Sequence, residues 1–243
     1  MKSRDGDRQR IWPVEFTAEE IEANHAALLA RNAVHQGFGF DPDASVQFVL
    51  DKALPLEGCV LDIGTGKGRF AIQLARRVAQ LVTVDINADE QRCAKLEAIY
   101  NGVHDRIRFV LADAQRLPWP DASFGAVTSW NAFHHLSDPE RVMDEMCRVL
   151  KPGGKLVLAD FSESGFALMD AIHKAEGRTH PHPPSRFSDF RKRLSTNGFS
   201  VEIAEGQHEE VLIARRSPLP NSHPPSARKQ GEVRLGRQNA AEP

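Results

Sequence analysis

Val60-Leu61-Asp62-Ile63-Gly64-Thr65-Gly66-Lys67-Gly68-Arg69-Phe70 is a short apolar run that ends in an acid and breaks into alternating glycines. Beyond it, Phe70, Ile72, Gln73, Leu74 and Ala75 take up helical spacing. The stretch therefore predicts a strand, a glycine turn and the start of a helix. Glycines there let the backbone approach a ligand closely, and the first N–H groups of the helix point at whatever sits in the turn. The dinucleotide fingerprint needs its third glycine one residue later than Gly68. A phosphate-cradling P-loop needs glycine at position 61 and Ser or Thr at position 68, where Leu61 and Gly68 stand. A turn without a ligand would need one glycine, and each extra one costs backbone entropy.

Strand-like and helical patterns alternate outward from this loop. Val60 to Ile63, Leu81 to Asp85, Ile107 to Leu111, Gly125 to Ser129 and Lys155 to Phe161 read as strands. Helical segments span Phe70 to Val78, continue through Leu96 and Ile99, and cover Pro139 to Leu150. Lys151-Pro152-Gly153-Gly154 reads as a turn. Such alternation predicts a parallel sheet with helices on both faces. Phe187 to Leu194 reads as a helix, and Phe199 to Ala204 and Glu209 to Ala214 as strands. The short connection around Gly206 makes that last pair an antiparallel hairpin.

Upstream, Thr17 with Glu20 forms a capping box before a helix whose apolar side is Ile21, Ala26, Leu28 and Leu29. A second helix is expected from about Asp43 to Leu54, with Val46, Val49 and Leu50 inward. The chain thus divides into a helical lead-in and lid half over 1–42, an α/β domain over 43–216, and a disordered tail over 217–243. The tail has five prolines and the basic residues Arg228, Lys229, Arg234 and Arg237.

Composition narrows the function classes. The chain has 243 residues, 41% of them hydrophobic, and a formal net charge of −2. That balance gives no pull toward nucleic acid or an anionic membrane. No apolar run has transmembrane length, and the polar N-terminus lacks the apolar core of a signal peptide. Cys59, Cys93 and Cys147 show no metal spacing or disulfide framework, and read as buried thiols of a reducing cytoplasm. Thr179-His180-Pro181-His182-Pro183-Pro184 has no cysteine or acid cluster to complete a metal site, so no metal is expected. That run is instead expected to be a proline-stiffened loop, within a segment from Gly165 to Ser185 that forms a substrate lid with the N-terminal helix as its other half.

Asp85 ends the second strand, where an acid can accept hydrogen bonds from both hydroxyls of a ribose. A dehydrogenase uses the same device, so Asp85 alone leaves the cofactor open. The later motifs are more specific. They are Leu111-Ala112-Asp113-Ala114, then Phe124 to Leu136 with Ser129-Trp130-Asn131-Ala132, then Arg148-Val149-Leu150-Lys151-Pro152-Gly153-Gly154. Taken in order with the glycine loop, over roughly residues 43 to 160, they resemble the class I S-adenosylmethionine-dependent methyltransferases. The likeness is nearest to the branch that includes the ubiquinone/menaquinone-biosynthesis C-methyltransferases.

The resemblance implies a Rossmann-like, doubly wound, seven-stranded sheet in the order 3-2-1-4-5-7-6, mostly parallel with strand 7 antiparallel. It implies S-adenosyl-L-methionine as cofactor, with S-adenosyl-L-homocysteine as product, across the ends of strands 1, 2 and 3. Asp62, Gly64, Thr65 and Gly66 then belong to the methionine side, and Gly68 allows close helix packing. Asp85 takes the ribose and Ile86 packs on adenine. Asp113 and the Ala114 backbone address the ring edge, and Trp130 and Asn131 lie near the sulfonium and the acceptor. His134 and His135 follow strand 4 and are the candidate general bases. The expected partner is a small-molecule acceptor in the cytoplasm, without nucleic acid or membrane insertion. Two other readings stay open: a non-catalytic cofactor-binding module acting as sensor or partner subunit, and a nicotinamide oxidoreductase. Asp113 and the glycine spacing argue against the second.

Overall fold

The computed structural model describes residues 15–179 and 187–218. The tail from 219 onward, with its four basic residues, Trp12, and the His180 and His182 positions lie outside the described residues.

Seven strands form one sheet: β1 (Cys59–Ile63), β2 (Gln80–Asp85), β3 (Ile107–Leu111), β4 (Phe124–Trp130), β5 (Leu150–Phe161), β6 (Phe199–Glu205) and β7 (Glu209–Arg216). Their order is β3-β2-β1-β4-β5-β7-β6, as expected. All neighbours are parallel except β7, which runs antiparallel to both β5 and β6. Order reverses beside β1, so its C-terminal end opens a crevice at a topological switch point.

Among the described residues seven α-helices flank the sheet: α1 (Ala18–Gly37), α2 (Pro42–Ala53), α3 (Arg69–Ala75), α4 (Ala88–Tyr100), α5 (Pro139–Val149), α6 (Glu163–Ala175) and α7 (Phe187–Thr196). Their starts are written locally. Thr17 and Glu20 form the capping box of α1, with Glu20 N–H donating to Thr17 Oγ1 at 3.2 Å. Asp41 and Asp138 cap α2 and α5, each with a proline in the first turn, and Asn87 caps α4. One core lies between the sheet and α5 and α7, where Met143, Met146, Phe190 and Leu194 pack on Leu156 and Leu158. The other lies on the opposite face, where Val49, Leu50, Phe70 and Leu74 pack on Val60 and Val157.

Three expectations are corrected. Only Ile21 of the proposed apolar side of α1 is buried, and Leu29 is 53% exposed. The helix is held instead by Phe16 and Ile21 against Leu96 and Ile99, and by His25, which meets Glu97 at 3.0 Å and stacks on Tyr100. Lys151 to Gly154 is not a free turn but the first part of β5, and pairing shifts register between Phe124 and Ala126. The expected lid segment begins as the helix α6, because Ser162 caps residues 163–175 and Met169 and Ile172 bury against Phe40 and Phe161. The three cysteines are half-buried free thiols rather than fully buried ones.

Candidate active site

The three glycines after β1 do two different jobs. Gly64 and Thr65 N–H groups both donate to the Val84 carbonyl, at 2.9 and 3.1 Å, which holds the loop against β2. Gly64 has φ +84°, and a Cβ there would meet the Ala132 Cβ at 2.4 Å. Gly68 has φ +86°, and a Cβ there would come within 3.0 Å of Ala94 on α4. Both positions are therefore closed by packing. Gly66 differs: a Cβ there would meet nothing within 4 Å, so it is the open side of the loop. Its N–H donates to Asp85 Oδ2 at 2.7 Å.

Asp62 lies beneath the loop rather than in its mouth. It is 1% exposed, and its two oxygens accept from Thr83 Oγ1 at 2.9 Å and Thr128 Oγ1 at 3.0 Å. The carboxyl thus braces β1 to both neighbouring strands, and the expectation that it lines the methionine side is corrected to a supporting place. Thr65 is also turned inward, its hydroxyl 2.8 Å from that of Thr83.

The other half of the crevice is polar at one point and apolar around it. Asp85 Oδ1 accepts from Asn87 N–H at 2.9 Å, so its two oxygens hold the glycine loop and the start of α4 in register. Directly after it, Ile86 is 70% exposed, and Leu111, the β3 partner of Asp85, is 57% exposed. These are two of the few large apolar side chains left open among the described residues. Asp113 is exposed two residues beyond the end of β3, and its Oδ1 accepts from Gln115 N–H at 2.8 Å as it caps the turn Ala114–Arg116. A carboxylate between exposed apolar side chains, next to an open glycine, fits an adenosine. Its sugar hydroxyls need an anionic acceptor and its flat base needs apolar cover.

The ends of β4, β5 and β7 build the third side. Trp130 stacks on Phe70, the second residue of α3, with centroids 6.1 Å apart. Asn131 takes φ +47°, and its Nδ2 donates to Glu209 Oε1 at 3.4 Å. Glu209, which the sequence reading does not single out, is 2% exposed at the first residue of β7 and also accepts from Ser45 Oγ on α2. His134 is buried. Its Nδ1 meets Asp160 Oδ1 at 2.6 Å and its backbone N–H donates to Asp160 Oδ2 at 3.0 Å, so the ring is fixed as structure. His135 keeps an exposed side. Desolvation on its packed side, then the neighbouring His134 ring, pushes its pKa down to about 4, which leaves it neutral at physiological pH. Among the described residues no three His, Cys, Asp or Glu side chains gather as a metal site.

Two of these acids tie stability to pH. Burial pushes Asp62 up to about 7, against hydrogen bonds from Thr83 and Thr128 that pull it down. Burial likewise pushes Glu209 up to about 8, opposed by the Ser45 hydrogen bond. The folded chain then keeps protons at pH values where the unfolded chain has released them. That contribution is full below the unfolded values and is lost as pH rises through the folded ones. Stability is expected to fall from about pH 4 to about pH 8 on account of these groups. Asp62→Asn should flatten the profile below about pH 7 by about one proton in slope. Urea midpoints across that range measure it, and parallel profiles for the two proteins would contradict it.

Residues 61–158 match the family model described as a methyltransferase domain. The chain is 36% identical over 138 residues to the 27-O-demethylrifamycin SV methyltransferase of Amycolatopsis mediterranei, covering 53% of this chain and 51% of that protein. It is 40% identical over 115 residues to the demethylmenaquinone methyltransferase of Deinococcus radiodurans, covering 47% and 48%. The chain thus spans about half the length of the curated relatives it matches. Its fold is similar to the crystal structure of a SAM-dependent methyltransferase from Aquifex aeolicus, with TM-score 0.57, 21% identity, and 82% of this chain and 98% of that one covered.

Proposed function

We propose that the chain is an S-adenosylmethionine-dependent methyltransferase, a reading supported by the methyltransferase-domain match over residues 61–158, and that it transfers a methyl group to a small-molecule acceptor. The observation that carries this reading is the crevice itself: Asp85 between exposed Ile86 and Leu111, beside the open Gly66. The two relatives named for small organic acceptors support the acceptor class. None of the described helices is long and apolar enough to cross a membrane.

In this reading Asp85 holds the ribose hydroxyls and Ile86 and Leu111 cover the adenine. Asp113 and the Ala114 backbone meet its polar edge. The Gly64, Thr65 and Gly66 backbone lies along the methionine part, and Asp62 keeps that backbone in place from below. When bound, S-adenosylmethionine supplies an electrophilic methyl group on a sulfonium. The protein's share is to orient the acceptor and exclude water, and orientation of that kind supplies ~7–11 kcal/mol in favourable cases. Trp130 and Asn131 close the side toward the acceptor. His135, neutral and open on one side, is the group placed to take a proton from a hydroxylic or acidic acceptor. His134 is a positioning residue, held by Asp160.

His135→Ala is expected to slow turnover of such an acceptor by about 10²-fold or more and to remove the acid limb of its pH profile. S-adenosylmethionine affinity should be unchanged. Equal rates for variant and wild type would remove the base role. Calorimetry tests the cofactor half of the proposal: S-adenosylmethionine and S-adenosylhomocysteine should bind and NAD should give no heat. Binding of NAD alone would overturn it in favour of an oxidoreductase.

A further inference from the structure

Three buried acids stand at the C-terminal edge of the sheet, and two of them are saturated. Asp62 spends one oxygen on each of two threonine hydroxyls. Asp160 Oδ1 accepts from Phe161 N–H at 2.9 Å and meets His134 Nδ1, while its Oδ2 accepts from the His134 backbone. Glu209 is different. Ser45 Oγ and Asn131 Nδ2 both go to Oε1, and Oε2 has no partner although it is fully buried. Asn131 Oδ1 and Trp130 Nε1 are also buried without a partner. An unmet buried polar group costs about 1–3 kcal/mol, so three of them on adjoining strand ends call for a ligand.

These atoms share one region. Along β7, Glu209 has the parity of Val211 and Ile213; along β4, Trp130 has that of Ala126. The four of those side chains other than Glu209 pack in the core on the α2–α3 face, and Ser45 on α2 brings Glu209 to the same face. Phe161, the β5 partner of Glu209, gives the region an apolar wall with Phe40. Trp130 reaches the glycine loop through Phe70, so the region adjoins the cofactor crevice.

We propose that Glu209 and Asn131 form the subsite that receives the hydroxyl group of a neutral acceptor, an inference that rests on the proposed function. A hydroxyl can accept from one of these groups and donate to the other, which satisfies Glu209 Oε2 and Asn131 Oδ1 together. Burial holds Glu209 protonated near neutral pH, which makes Oε2 the donor and Asn131 Oδ1 the acceptor. A carboxylate there would face the Asn131 oxygen, with no cation among the described groups that act on Glu209 to balance it. A methyl group would leave both oxygens unmet.

The test uses the full chain saturated with S-adenosylhomocysteine and three probes followed by fluorine NMR: para-fluorophenol, para-fluorotoluene and para-fluorobenzoate. The phenol should bind at least about tenfold tighter than either of the others. Glu209→Leu should erase that preference, and Glu209→Gln, which keeps a donor at the Oε2 position, should retain most of it. S-adenosylhomocysteine affinity should hold in both variants. Equal binding of phenol and toluene by the wild type would overturn the proposal, whether or not Glu209→Leu folds. So would tighter binding of benzoate, no binding of any probe, or a preference that survives Glu209→Leu. A wild type that does not bind S-adenosylhomocysteine would instead overturn the proposed function, so the two failures are distinct.

Discussion

Asp85→Ala is expected to weaken S-adenosylmethionine binding by about a hundredfold. The side chain ends β2 at the switch point, and both of its oxygens already serve local N–H groups, Gly66 at 2.7 Å and Asn87 at 2.9 Å. Each oxygen has further lone pairs for a sugar hydroxyl. Hydrogen bonds to a charged group contribute about 1.5–3 kcal/mol apiece, and water recovers part of that in the variant. A net loss of about 3 kcal/mol corresponds to the hundredfold expected. The variant also frees the Gly66 N–H, which loosens the open side of the loop. Asp85 is only half-buried, so the melting temperature should move little and the loss can be read as binding. Calorimetry with wild type and variant gives the ratio directly. Affinities within about threefold of each other would remove Asp85 from the site.

Gly64→Val should be the most damaging single change in the glycine loop. A Cβ there falls 2.4 Å from the Ala132 Cβ, well inside contact distance, and the backbone has φ +84°, where a β-branched residue is strained. Strain of about 1–3 kcal/mol and overpacking of about 1–3 kcal/mol act together. The chain can relieve them only by shifting Ala132 and the Asn131 turn before it, or by breaking the Gly64 N–H bond to Val84. A loss of about 3–5 kcal/mol in stability is expected, with cofactor affinity falling in whatever fraction remains folded. Gly66→Ala makes the contrast. No atom lies within 4 Å of its Cβ position, so stability should fall by only about 1 kcal/mol through its positive φ. Denaturant unfolding of both variants measures the difference, and equal losses would contradict the division of labour among the glycines.

Much of this was readable before any coordinates, for a local reason. The run from Val60 to Phe70 changes its period from strand to helix across the glycines, and Thr17 and Pro139 mark helix starts within one turn of themselves. The direction of Asp62 was not readable. β1 is buried on both faces, so its side chains give no polar alternation that separates an inward carboxyl from an outward one. α6 leaves little trace in the sequence, because the helix is stabilised by Met169 and Ile172 against Phe40, far away in sequence. Lys151 to Gly154 carries the composition of a turn and is drawn into β5 by pairing of Leu150 with Phe124. Glu209 has no motif at all. It comes beside Asn131 because β7 runs antiparallel, which returns its first residue to the end of β5, and it is held there by Ser45, 164 positions earlier in the chain. Contacts of that range leave no periodic trace.

The central claim is transfer of a methyl group to a small molecule, and label partition tests it most directly. The purified chain is incubated with S-adenosylmethionine labelled in its methyl group and a metabolite extract, and the products are separated by size. The label should appear in the low-mass organic fraction only when the protein is present, and Asp85→Ala should remove it. S-adenosylmethionine bound by the protein but label remaining entirely on the cofactor, or moving to protein or nucleic acid, would contradict the claim.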